Sequence, residues 1–219
     1  MRKLTGAAFL SLDGVMQAPG GPDGDRSGGF ELGGWLAGFY DEEFGEELDR
    51  LFSGPFDLLL GRRTYDIFAA YWPYNQDNPV GAKFQQAGKY VLTHSDQPLE
   101  WDNSHRVESL DALARLKQGD GPDLVIQGSS TLYPQLLEAK LIDRLVLMIF
   151  PLVLGEGKRL FGEETSPGAM RMVNHAVTAL GTIIATYEPS GEVTTGTFAT
   201  KEPSEAELER RERVEEGAW

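Results

Sequence analysis

The chain contains no cysteine. That excludes disulfides, a thiolate nucleophile and any cysteine-based metal site, and it fits a reducing compartment such as the cytoplasm. Long apolar runs are missing too. No segment is apolar for long enough to span a bilayer, and Met1-Arg2-Lys3-Leu4-Thr5 leads into a run too short for a signal peptide. Positive charge is scarce: 20 Lys and Arg stand against 34 Asp and Glu, a net charge of −14. Such a chain is poorly suited to nucleic acid or an anionic membrane, and an anionic ligand requires a local cluster of positive charge. The three histidines, His94, His105 and His175, lack the spacing of metal ligands. Neither a GxGxxG fingerprint nor a Walker loop occurs, so the usual Rossmann and P-loop readings fail.

What is present is enough apolar material, 41% of 219 residues, for a sizeable core in one domain or at most two. Leu4 to Leu12, Asp57 to Gly61, Lys89 to Thr93, Leu124 to Gln127 and Leu145 to Leu154 read as core strands. Helices are expected from about Asp41 to Phe52, Thr64 to Trp72, after Ser109, and from about Thr131 to Lys140. Met170 to Ala179, Thr182 to Glu188 and Val193 to Thr200 read as antiparallel strands, the last two joined at Pro189-Ser190-Gly191. Alternating strands and helices followed by a run of strands predict an α/β fold whose mostly parallel sheet has an antiparallel edge. Between Asp13 and Gly34 lie seven glycines and two prolines, which predicts a long mobile loop. Beyond Glu202 the chain is rich in Glu and Arg. Ser204 and Glu207 form a candidate capping box, and Glu207–Arg211 and Glu209–Arg213 have ion-pair spacing.

Two polar junctions between strand and helix are candidate phosphate sites. At Gly61-Arg62-Arg63-Thr64, glycine permits close approach of a ligand, and the new helix offers free amides and a partial positive charge. Two adjacent arginines add phosphate-matching side chains, unless they serve only to neutralise neighbouring carboxylates. At Gln127-Gly128-Ser129-Ser130-Thr131, small residues and open amides can wrap a pyrophosphate, although an ordinary Ser or Thr helix cap is the more common use. Two such junctions on neighbouring strands are stronger evidence than one, because open α/β sheets bind ligands at the carboxyl ends of their strands.

Four stretches together resemble the dihydrofolate reductase-like superfamily, and especially its branch containing the C-terminal reductase domain of bifunctional riboflavin-biosynthesis enzymes. They are Ser11-Leu12-Asp13-Gly14-Val15, Leu58 to Tyr65, Leu124 to Tyr133, and Leu141 through Pro151 to Gly157. The resemblance implies about eight strands with helices on both faces. It implies one reductase domain over residues 1–200 and leaves 201–219 as a charged helical tail. It also implies NADPH. Gly61, Arg62, Arg63 and Thr64 would take the adenosine phosphates, Gly128, Ser129, Ser130, Thr131 and Leu132 the pyrophosphate, and Ser95 the adenosine side. Gly14 and Val15, in the loop opening at Asp13, would close over the nicotinamide. The riboflavin branch often dimerises, which points to a homodimer through an edge strand or the tail. The chain departs from both namesakes. Arg62 to Phe68 replaces the acidic, Pro-containing stretch of the riboflavin reductases, and Gly128-Ser129 stands where dihydrofolate reductases have Gly-Gly.

Hydride transfer to a C=N bond needs a proton for the nitrogen, from a carboxylic acid or an ordered water. In dihydrofolate reductases the acid sits on the first helix. Asp41 lies near the stripe formed by Phe44, Leu48 and Leu51, with Glu47 at its edge, so Asp41 is the candidate acid and otherwise a helix cap. Asp13 is its rival, or else a turn residue before Gly14. Trp35, Phe39, Tyr71 and Trp72 are candidates to line the pocket of a flat substrate, pteridine-like or ribosylamino-pyrimidine-like, unless they are merely core.

Overall fold

β2 (Phe56–Gly61) explains why the sheet is covered on both sides. Leu58, Leu59 and Leu60 are each fully buried. Successive side chains on a strand point to opposite faces, and here Leu59 joins one core cluster while Leu58 and Leu60 join another. The computed structural model describes residues 1–162 and 165–218. Its remaining strands are β1 (Leu4–Ser11), β3 (Lys89–Leu92), β4 (Ser104–Val107), β5 (Asp123–Gln127), β6 (Arg144–Phe150), β7 (Met170–Val177) and β8 (Ile183–Pro189). Its helices are α1 (Glu42–Leu51), α2 (Arg62–Tyr71), α3 (Pro79–Gln86), α4 (Leu110–Gln118), α5 (Tyr133–Glu138) and α6 (Glu205–Glu215).

The eight strands form one sheet in the order β4-β3-β2-β5-β1-β6-β8-β7. Every pair from β4 to β6 is parallel. β8 pairs antiparallel with both β6 and β7. The predicted mostly parallel sheet with an antiparallel edge is therefore found. Side chains of α4 and α5 pack in the cluster on one face. α1, α2 and α3 cover the other, where Phe52, Tyr65 and Phe84 meet Leu58 and Leu60. The chain leaves β1, passes over to β2, works outward to β4, and returns to lay β5 between β2 and β1. That reversal opens a crevice at the carboxyl ends of the central strands.

Three expectations are corrected. Val193 to Thr200 forms no strand. It is exposed throughout, and its one large aromatic, Phe198, packs on nothing, so no burial offsets the entropy of ordering it. β6 stops at Phe150 because Pro151 has no amide to continue the ladder. The Gly-rich stretch 13–34 is a folded loop rather than a free one. Buried Gln17 donates from Nε2 to the Asp25 and Ser27 carbonyls and accepts from the Lys158 amide at 2.9 Å. Phe30 is buried against Gly157, where an added Cβ would meet it at 3.0 Å. Sequence periodicity passed over α3 and β4; β4 (Ser-His-Arg-Val) is an edge strand with little apolar signature.

Candidate functional site

Because β2 and β5 are neighbours, the two polar junctions lie side by side. Ser129 stitches them together. The Gly61 amide donates to Ser129 Oγ at 2.9 Å, and the Ser129 amide donates to Thr64 Oγ1 at 2.9 Å. The stitch requires two consecutive left-handed residues, Gly128 (φ +66°) and Ser129 (φ +59°). Gly128 also packs close: a Cβ there would lie 3.0 Å from the Thr64 methyl. Among the described residues no side chain caps the N-terminus of α2 or of the 3-10 turn Ser130–Leu132. The first amides at these two N-termini are therefore not taken up by a side-chain cap.

A cleft of about 1490 Å³ runs past both junctions. That exceeds the usual range of about 300–1,000 Å³ for a single small-molecule pocket and leaves room for a dinucleotide beside a second molecule. Its polar half comprises Gly61 to Thr64, Gly128 to Leu132, Thr93, His94, and Ser109 at the start of α4. The two arginines there differ. Arg62 is held by Asp66 (2.9 Å) and by the Gln97 carbonyl (2.9 Å). Arg63 is exposed and makes no ion pair among the described residues. The apolar half lies between α1 and α2. Phe9 rises from the sheet, Leu48 and Phe52 come from α1, and Ile67, Phe68 and Trp72 come from α2 and the turn after it. Helical spacing explains the walls: Phe44, Leu48 and Phe52 recur every four residues, as do Thr64, Phe68 and Trp72.

The family follows from the chain's sequence. Residues 2–184 match the RibD C-terminal domain. The chain belongs to that family. The uncharacterised protein YyaP of Bacillus subtilis is 27% identical over 142 residues, covering 61% of this chain and 74% of its own. Among solved structures, a putative riboflavin biosynthesis protein from Shewanella sp. PV-4 superposes with a TM-score of 0.61 at 23% identity, covering 86% of this chain and 99% of that one. Dihydrofolate reductase from Enterococcus faecalis, solved in complex with NADP(H), superposes with a TM-score of 0.54 at 18% identity, over 85% and 96% of the two chains. The fold is dihydrofolate reductase-like, a reductase-type fold. Among the described residues no helix is long and apolar enough to cross a membrane.

In this RibD C-terminal domain the cleft brings together Gly61, Arg62, Arg63, Thr64, Gly128, Ser129, Ser130, Thr131 and Leu132, and it also takes Tyr71 and Trp72. Other expected residues sit elsewhere. Gly14 (φ +80°) makes the turn after β1, donating to the Ser11 carbonyl, and Val15 is buried against Gly157. The loop first reaches the cleft at Met16. Ser95 faces its own turn, accepting from the Gln97 amide, while Thr93 and His94 line the cleft. Trp35 and Phe39 pack edge-on against Phe150 at 5.6 and 5.9 Å, and the Trp35 indole donates to the Gln17 carbonyl.

Neither candidate acid lines the cleft. Asp41 caps α1: Oδ1 accepts from the Phe44 amide at 2.9 Å and Oδ2 from the Leu180 amide at 3.0 Å. Desolvation raises its pKa, but the Thr178 hydroxyl and those two amides more than reverse this and leave it lowered. Glu47 is turned to Arg50. Asp13 joins two loops. It accepts from the Ser11 hydroxyl (2.6 Å) and from the Leu154 and Gly155 amides (3.0 and 2.9 Å). The Ser11 hydrogen bond, opposed by desolvation and aided by those amides, lowers its pKa to about 2. Both carboxylates are ionised anchors at neutral pH.

One polar residue of the cleft was quoted in the sequence only as part of a junction. Gln127 ends β5 and is among the residues that line the cleft. It is 8% exposed, and its Oε1 is buried without a hydrogen-bond partner. Sequence offers no signal for this, since a strand-end Gln is ordinarily satisfied by a neighbour.

Proposed function

We propose that the chain is an NADPH-dependent reductase that transfers a hydride to a small heteroaromatic or imine-like substrate, pteridine-like or ribosylamino-pyrimidine-like. One observation carries this reading: Ser129 ties the two uncapped junctions into a single cradle at the carboxyl edge of the sheet. The cradle fits a dinucleotide. Gly61 and Gly128 let backbone approach phosphates, the first amides of α2 and of Ser130–Leu132 supply donors, and Arg63 supplies uncommitted charge for a 2′-phosphate. Bound there, NADPH supplies the hydride. The chain's own part is to hold the phosphates in the polar half, to present the apolar half to the substrate, and to exclude bulk water with the pinned loop 16–25. With Asp13 and Asp41 ionised and engaged elsewhere, a single water bound in the closed cleft delivers the proton.

That arrangement also favours a second reading, a non-catalytic protein binding a nucleotide or small molecule on the same fold. The two separate in one experiment. The full chain is titrated with NADPH, then supplied with a panel of pterins, pyrimidines and flavins while nicotinamide absorbance is followed. Turnover supports the reductase. Tight NADPH binding without turnover across the panel supports the binding protein, and no dinucleotide binding overturns both.

The proposal includes a cytoplasmic setting, which suits a cysteine-free chain using a reduced cofactor, and a homodimer. β7 supports the dimer: it is an edge strand on which Met172, Val173 and Val177 are exposed. Sedimentation as a monomer at micromolar concentration would refute it.

A further inference from the structure

Proton supply and charge together narrow the substrate class; this rests on the reductase reading, both for the hydride and for which half receives the substrate. Hydride addition to a neutral imine leaves a nitrogen that must be protonated at once. Asp13 and Asp41 are engaged outside the cleft. The carboxylates that line it from the loop and from α1 are held in ion pairs. Asp23 pairs with Arg26 at 2.9 Å, Asp25 with Lys158 at 2.5 Å, and Asp49 with Lys83 at 3.2 Å. A neutral imine therefore depends on one bound water. A C=N bond that already carries a fixed positive charge needs no proton at all.

The walls suit such a cation. At the end of α2, helical spacing brings three rings together. Trp72 stands almost perpendicular to Tyr71 (ring centroids 5.0 Å apart, 81°) and to Phe68 (6.1 Å, 87°). All three line the cleft, as does Tyr40, packed edge-on against Phe44 of α1. Tyr71 and Tyr40 are 52% and 64% exposed, so their rings are open to an entering molecule. Aromatic faces attract cations, most strongly where water is excluded. Among the described residues, the lysines and arginines lining the cleft are Arg62, Arg63 and Lys158. The arginines stand in the polar half, and Lys158 is committed to Asp25 and Ser27. Asp23 and Asp49 line the cleft, whereas their partners Arg26 and Lys83 do not. The apolar half thus presents rings and carboxylates without an uncommitted cation, in a chain of net charge −14. We propose that it takes an N-alkylated iminium cation and reduces it to a tertiary amine without a proton donor. The hydride pair leaves the dihydronicotinamide carbon and forms the new C–H bond at the iminium carbon. The C=N π pair becomes the nitrogen lone pair, and the positive charge passes from the substrate to the oxidised nicotinamide.

N-Methylisoquinolinium and isoquinoline make a matched pair of nearly the same shape, one a fixed cation and the other uncharged at neutral pH. Calorimetry on the full chain with saturating NADP+, which has no hydride to give, reads binding alone. The cation is expected to bind at least about tenfold more tightly, a difference of about 1.4 kcal/mol. Tyr71→Leu, at an exposed ring, and Trp72→Leu are each expected to weaken the cation about fivefold and isoquinoline by less than about twofold, with circular dichroism confirming that both variants fold. Equal or tighter binding of isoquinoline overturns the proposal. So does unchanged cation affinity in Tyr71→Leu, or failure of both molecules to bind. Turnover with NADPH is the second readout. N-Methyl-3,4-dihydroisoquinolinium is expected to be reduced at a rate independent of pH, and its unmethylated parent at a rate that falls as pH rises. Turnover of the parent alone overturns the proposal. NADP+ binding is measured separately: its failure removes the reductase reading, while the isoquinoline pair, titrated without it, still reports on the cleft.

Discussion

The two halves of the cleft are built on different principles. The polar half comes from two short contiguous stretches, 61–64 and 128–132, that become one site because β2 and β5 are neighbours. Its chemistry is mostly backbone: uncapped helix amides, and left-handed residues that turn the chain. The apolar half gathers side chains from β1, α1, α2 and α3, each strand or helix contributing part of the wall. A backbone cradle tolerates few residue types and therefore leaves a signature. An apolar wall is made of what cores are made of, and leaves none.

The sharpest break of this comparison is at Gly128. Its φ of +66° disfavours any side chain, and a Cβ would press on Thr64 at 3.0 Å. Gly128→Val should cost about 2–3 kcal/mol of stability, in the upper range for a strained non-glycine backbone, and should weaken NADPH binding more than tenfold by opening the Ser129 stitch. Urea unfolding and a fluorescence titration check both parts. Phe68→Leu, a wall change of similar size in the apolar half, should leave NADPH affinity nearly untouched. Equal losses from the two would mean that the halves are not separable.

Next in size is the contrast between the adjacent arginines. Arg62 already spends its guanidinium on Asp66 and the Gln97 carbonyl, whereas Arg63 is uncommitted. Arg63→Ala should therefore lower NADPH affinity about tenfold relative to NADH, as expected for losing one charge-assisted phosphate contact. Arg62→Ala should cost less, and the double variant should approach indifference between the cofactors. Isothermal titration with each nucleotide measures this. Equal loss for NADPH and NADH would remove the claim that Arg63 reads the 2′-phosphate.

The same contrast explains what could be read in advance. The parallel core was legible because strands such as Leu58-Leu59-Leu60 have no polar face. Both junctions were legible because glycine, arginine and serine stand where a strand becomes a helix. The acids were not. Asp41 lies on the α1 stripe by angle, but at the N-cap the stripe has not begun, and the side chain turns back to its own helix and to Leu180. Asp13 precedes a turn, but its partners Leu154 and Gly155 are remote in sequence, and nothing local announces them. Trp35 and Phe39 have the composition of a ligand pocket and the position of a core, packed on Phe150.

A smaller effect lies at the joint between loops that Asp13 makes. Its pKa, lowered to about 2, is below an unfolded value of about 3.9. The native state therefore binds fewer protons at this group than the unfolded state. The stability it contributes is fully present above about pH 4 and is lost as pH falls through about 2. Asp13→Asn should lower the melting temperature at pH 6, and the gap to the parent should shrink towards pH 2. A gap that is constant with pH would mean that the carboxylate charge is not what holds Leu154 and Gly155.

The smallest expected effect is at the tail, where the contrast is with the whole domain. α6 is a well-formed helix: Ser204 caps it through the Glu207 amide, and Glu207 pairs with Arg210 and Arg211 at 2.7 and 2.9 Å. Yet it buries no residue, and among the described residues no hydrogen bond or ion pair joins it to the sheet. Surface ion pairs within one turn contribute about 0.3–0.5 kcal/mol each, and only to the helix that holds them. We propose that residues 201–219 stand outside the folding unit. Ending the chain after Thr200 should then shift the melting temperature by less than about 1 °C, because almost no apolar area is re-exposed. The oligomeric state turns the same truncation into a sharper test. If β7 carries the dimer, the shortened chain sediments as the parent does. If it becomes monomeric while its melting temperature holds, α6 is the dimer contact. A large drop in melting temperature with no change in assembly would show that the tail docks on its own domain.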